Sequence, residues 1–150
     1  MKEPITKNRL QRYISLRLEC EKICNQIEKL KINESFPAAK PGDGSQRTGT
    51  TGDRMANAII NRLEYEETMA PILERNKAEM LEINKAINAL DDPNERVVLR
   101  MRYTEGDSCR HKPWEDIAMA IYGDNDERCL KATYRLHGRA LKNIQRLTCR

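Results

Sequence analysis

Residues 91–148 decide the fold, and they read in three pieces: DDPNERVVLRMRYTEG (91–106), PWEDIAMAIYG (113–123) and DNDERCLKATYRLHGRALKNIQRLT (124–148). Each piece carries its own punctuation. Asp92 is an N-cap, Pro93 takes the first helical position, where its missing N–H costs nothing, and Glu95 is spaced to reach back to the cap. The pattern predicts a helix running to about Tyr103 and stopping before Gly106. Pro113 opens a second, short helix with Trp114, Ile117, Ala118 and Ile121 on its buried face, and Gly123 closes it. Asp124-Asn125-Asp126 caps a third helix that continues to about Leu147. Three helices in succession, with a glycine-bearing turn between the last two, have the layout of a helix-turn-helix.

The third helix carries the chemistry. From Arg128 onward there is no acidic residue, while Arg128, Lys131, Arg135, Arg139, Lys142, Arg146 and Arg150 recur at spacings of three and four. Those spacings put the seven side chains on one helical face. Cys129, Thr133, Leu136, Ala140, Ile144 and Leu147 fall on another, rotated by well over a right angle. An ordinary solvated face mixes Glu with Lys in i,i+4 pairs. Stacked cations without acids repel one another by a few tenths of a kcal/mol per neighbouring pair. A phosphate backbone offsets that cost by releasing counterions, so the expected partner is double-stranded DNA.

Upstream, residues 5–33 alternate spacings of three and four at Tyr13, Leu16, Cys20, Ile23, Ile27 and Leu30, a heptad seam of an amphipathic helix. Residues 34–53, ESFPAAKPGDGSQRTGTTGD, hold Pro, Gly, Ser and Thr and read as a flexible linker. A second long helix follows over 54–90, with Met55, Ile59, Met69, Leu73, Met80, Ile83, Ile87 and Leu90 on its seam. Arg62, Glu66 and Asn76 fall on the same stripe, where polar residues weaken a seam and fix its register. Pro71 predicts a kink or boundary near residues 68–70. The expected fold class is all-α: a long N-terminal helical hairpin or coiled coil over 1–90 that assembles subunits, then a helix-turn-helix domain over 91–150. A homodimer is the expected assembly.

The motifs R-Y-x-x-G, W-x-x-I-A and Y-R-L-H-x-x-A-L, in that order across about sixty residues, resemble the region-4 module of sigma-70-type factors. They are more similar still to small phage-encoded transcription regulators of the ArpU/RinA type. That resemblance implies a sequence-specific transcription regulator that reads DNA with the helix at about 126–147, with host RNA polymerase as a further partner. It makes Trp114, Ile117, Ala118, Leu136 and Leu141 scaffold. It turns Arg128, Lys131, Ala132, Tyr134, Arg135, His137 and Arg139 toward DNA, and the basic stripe adds Lys142 and Arg146. Residues 107–113, DSCRHKP, lengthen the connection that such modules carry.

Composition bounds the alternatives. Of 150 residues, 39% are hydrophobic, 5% aromatic and 33% charged, with a net charge of +4. That is too polar for a thick core and suits long, solvent-washed helices. The N-terminus lacks an apolar leader, no run reaches transmembrane length, and five cysteines cannot all pair within the chain. A cytoplasmic protein without a membrane role is expected. Cys109, His111, Cys129 and His137 lack the paired-cysteine spacing of a zinc site, so no metal and no cofactor is expected. Glu115 and Asp116 point about 100° apart on a helix and cannot share a substrate, and no nucleophile or phosphate-loop motif occurs, so no enzyme and no catalytic residue is expected. Two other readings remain: a DNA-packaging protein like a small terminase, and a basic helix that binds an acidic protein.

Overall fold

The computed structural model describes residues 2–35, 51–107 and 110–149, and every described regular element is helical. These are α1 (Lys7–Ser35), α2 (Thr51–Asn88), α3 (Pro93–Leu99), a π-helical turn (Arg100–Thr104) that continues α3, α4 (Trp114–Tyr122) and α5 (Glu127–Thr148). Most of the expected 34–53 linker lies outside the described residues, as do Cys109 and Arg150. Among the described residues no helix is long and apolar enough to cross a membrane.

The chain packs as two compact units, and the boundary is not at residue 90. Unit 1 joins Met1–Leu18 to Lys77–Arg150, and unit 2 is Glu19–Asn76. The first turns of α1 belong to the same core as the C-terminal helices: Ile5, Leu10, Ile83, Ile87, Leu99, Ile117, Leu136 and Ile144 are buried together. The Ile5 N–H donates to Thr148 Oγ1 at 2.8 Å, which fastens the N-terminal segment to the end of α5. Arg9 forks onto both carboxylate oxygens of Glu79 at 2.9 and 3.0 Å. The heptad reading missed Leu10 and Ile14, which are buried, and chose Tyr13 and Leu16, which are half-buried. The buried stripe is wider than a seam here because α1 has more than one neighbour. Ile14 lies against Gly106, and Arg17 donates to the carbonyls of Thr104 and Gly106.

Local signals in this unit hold with one correction. Asp92 caps α3 by accepting from the Asn94 N–H at 2.9 Å, and Pro93 follows it. Glu95 does not reach back to the cap. It is 4% exposed and accepts from Asn143 Nδ2 of α5 at 2.8 Å, a tertiary bond instead of a local one. Gly123 ends α4 with φ +75°, the left-handed region that a Cβ disfavours. Asp126 caps α5 through the Cys129 N–H at 2.8 Å.

In unit 2 the interior is thin. Among the described residues Cys20, Ile23 and Asn76 are buried, whereas Met55 and Ile59 of the α2 seam are exposed, as are Ile60 and Leu63 outside it. The polar interruptions make the ties. Asn76 Nδ2 donates to Glu19 at 2.6 Å, and Arg62 pairs with Glu34 and, at 3.1 Å, with Glu66. The partners 19–76 and 34–62 run in opposite order along the two helices. Pro71 causes no break, since α2 is continuous from Thr51 to Asn88. Pro71 and Glu67 are both exposed, so water can take up the carbonyl that the proline leaves free.

Candidate nucleic-acid interface

Helix α5 is amphipathic with its two faces opposed. Thr133, Leu136, Ala140 and Ile144 are buried at 0–2% exposure. Taking about 100° per residue, Arg128, Lys131, Arg135, Arg139, Lys142 and Arg146 lie within about 45° of one common direction, which is turned about 140° from the centre of that core. All six are exposed. The helix holds six cations and one acid, Glu127, whose carboxylate pairs with Lys131 at 2.9 Å. The stripe from Arg128 to Arg146 is about 27 Å long at 1.5 Å per residue. Its two ends differ from the middle. Asp124, Asp126 and Glu127 surround the N-terminus, where they complement the helix dipole. At the other end Arg146 lines a groove of about 350 Å³ together with Asp91, Asp92 and Glu95. The cationic field is therefore strongest over Arg135, Arg139 and Lys142.

The remaining expected contacts divide. Tyr134 is 48% exposed on the flank of the stripe, and Ala132 is half-buried beside it. His137 is corrected: it is 8% exposed and belongs to the interior. Its Nε2 lies 2.6 Å from the Tyr103 hydroxyl, and the two rings stack at 5.7 Å. Burial, with Lys7 and Arg102 adding to it, pushes the His137 pKa down to about 4. Burial pushes Tyr103 up to about 12. Both groups are therefore neutral near pH 7, and one hydrogen bond joins the hydroxyl to Nε2. On the helical wheel residue 137 sits about 160° from the stripe's centre, which the position in the motif did not convey.

Sequence reasoning missed Arg102. The π-turn carries its guanidinium to 4.4 Å above the Trp114 ring, and its Nη1 donates to the Lys112 carbonyl at 2.7 Å. Trp114, expected to be buried, is half-buried. It packs edge-on against His137 at 4.7 Å and Tyr134 at 5.2 Å, so it holds the Tyr134 ring in place. No periodic pattern announces a π-turn, and R-Y-x-x-G was legible only as a helix end.

Of Cys109, His111, Cys129 and His137, the first lies outside the described residues and both histidines have other partners. His111 packs against Tyr103 and its Nδ1 lies 3.1 Å from the Arg102 carbonyl oxygen, while His137 is held by the Tyr103 hydroxyl. Among the described residues no three His, Cys, Asp or Glu side chains gather to hold a metal ion. Glu115 and Asp116 are both exposed in the first turn of α4. Compared with protein families, with curated proteins and with solved structures, the chain finds no match.

Proposed function

We propose that α3 with its π-turn, α4 and α5 constitute a helix-turn-helix that binds duplex DNA, with α5 as the reading helix. One observation carries this reading. Six exposed cations line the side of α5 turned away from its core, and of these six only Lys131 has an ion-pair partner among the described residues. A groove about 12 Å wide admits a helix, and a 27 Å stripe outruns it, so the outer cations meet flanking phosphates. Arg135 and Arg139 then face the base edges, Lys142 grips the backbone, and Tyr134 reaches a phosphate from the flank. Asp124, Asp126 and Glu127 repel phosphate and keep the helix tip off the backbone. The function is sequence-specific transcription regulation in a phage or prophage setting, with host RNA polymerase as a second partner. Units of this kind act as homodimers on paired half-sites. Here the N-terminal helical hairpin supplies the pairing, through the apolar stripe Met55, Ile59 and Leu63.

The test is a titration of the full chain on random-sequence and selected duplexes over a range of salt. Arg139→Ala with Lys142→Ala lowers affinity for every sequence and reduces the salt slope by roughly one to two units. Unchanged affinity and slope in the double variant overturn the reading.

A further inference from the structure

Charge in the C-terminal region is sorted by helix. Residues 113–127 contain five acids and no cation, and residues 128–148 contain six cations and no acid. The outward face of α4 is formed by Glu115, Asp116, Met119 and Tyr122, which fall within about 60° of Met119. Met119 is 47% and Tyr122 43% exposed, whereas Ile117 and Ala118 on the other side are fully buried. Acidic side chains therefore frame two exposed apolar anchors, and no cation on α4 offsets them. The chemistry that covers such a face is a row of Arg or Lys. Their stems pack on Met119, an Arg guanidinium stacks on Tyr122, and their charges meet Glu115 and Asp116.

This chain presents that row on α5, but not to its own α4. Both outward faces point away from a core that the two helices share, so the contact is possible only between copies. We propose that the α4 face docks on the cationic face of α5 in a second copy. The contact is head-to-tail, leaving the second copy's α4 open, so it propagates instead of closing. It covers the residues assigned above to DNA, and duplex DNA competes with it. The contact itself does not rest on the DNA reading; the competition does.

Sedimentation of the full chain, in about 0.05 M and about 1 M salt, tests it. A low-salt species at least twice the high-salt mass is expected, since close charge pairs are screened at high salt. Glu115→Lys with Asp116→Lys abolishes the low-salt species, and so does Arg135→Glu with Arg139→Glu. Mixing the two variants restores it, because each now complements the other. All four positions are exposed, and circular dichroism verifies that the variants are folded. Equal masses at both salts, or a mixture no heavier than its components, overturns the contact. Random-sequence duplex dissolves the wild-type species. A duplex that binds without dissolving it overturns the competition. A species that persists because no duplex binds sinks the DNA reading and leaves the contact standing.

Discussion

Unit 1 and unit 2 are both helical, yet they are held by different forces. In unit 1 large side chains from all five α-helices and from the N-terminal segment reach 0–1% exposure, Ile5, Leu10, Ile83, Leu99, Ile117 and Ile144 among them. Its buried polar groups all find partners: Glu95 with Asn143, Tyr103 with His137, Thr133 with the Cys129 carbonyl. Among the described residues of unit 2 two apolar side chains are buried, and the ties between helices are polar. Partly exposed ion pairs each contribute less than about 1 kcal/mol, whereas a fully buried Ile contributes roughly 1.5–3 kcal/mol. A substitution in unit 1 is therefore felt strongly as folding, and one on the exposed face of unit 2 much less so.

The largest effect expected is that of Ile117→Asp. An unpaired carboxylate at 0% exposure costs several kcal/mol, comparable with the roughly 5–15 kcal/mol that holds a small domain together. Unit 1 should lose its amide-exchange protection. Retained protection over residues 93–147 would show that α4 is not part of that core.

Next comes pH. The His137 pKa lies near 4 in the fold against an ordinary 6.5, so the unfolded chain takes up a proton that the folded ring refuses. The stabilisation is complete above pH 6.5, falls as pH drops through that window and levels off below about 4. It amounts to at most about 3 kcal/mol. His137→Gln keeps an acceptor for Tyr103 and removes the titration. Its urea midpoint should change less than that of wild type between pH 6.5 and 4. Parallel profiles would mean that the ring is hydrated in solution.

Gly106→Ala probes one tight approach in the same unit. A Cβ there would sit 2.2 Å from the Arg110 carbonyl oxygen and 2.8 Å from Ile14 Cδ1. The backbone atom cannot swing aside, so a loss of about 1–3 kcal/mol is expected in chemical denaturation. A neutral result would place Gly106 farther from the Arg110 carbonyl and from Ile14.

What could be read in advance follows the same division. Helix existence, the caps at Asp92 and Asp126 and the stop at Gly123 were legible because they depend on neighbours a few residues away. The basic stripe was legible because 3.6-residue periodicity sorts side chains by face. The joining of the first eighteen residues to the C-terminal helices was not, since Ile5 and Ile144 are brought together only by tertiary packing. Glu95 and His137 were misread for a related reason. Glu95 obeyed a local capping rule but bonds to Asn143, and His137, placed by its position in the motif, is turned inward to Tyr103.

The smallest effect on folding is expected at the apolar stripe of unit 2. Ile59 and Leu63 are 39% and 51% exposed, so replacing them removes little surface that folding itself buries. Ile59→Asp with Leu63→Asp should leave the stability of unit 1 within about 0.5 kcal/mol of wild type. Under the proposed function the same pair should separate the dimer, because two carboxylates would then enter the surface that pairs copies. In about 1 M salt, where charge-driven contacts between copies are screened, the wild-type chain should sediment as a dimer and the variant as a monomer. Affinity for a duplex with two half-sites should fall by orders of magnitude, since the second contact loses its high effective concentration. Affinity for a single half-site should not change. A variant that remains dimeric would place the pairing surface away from this stripe. A variant that loses helicity at low denaturant would show that the stripe is covered within its own chain, and the contrast between the two units would narrow.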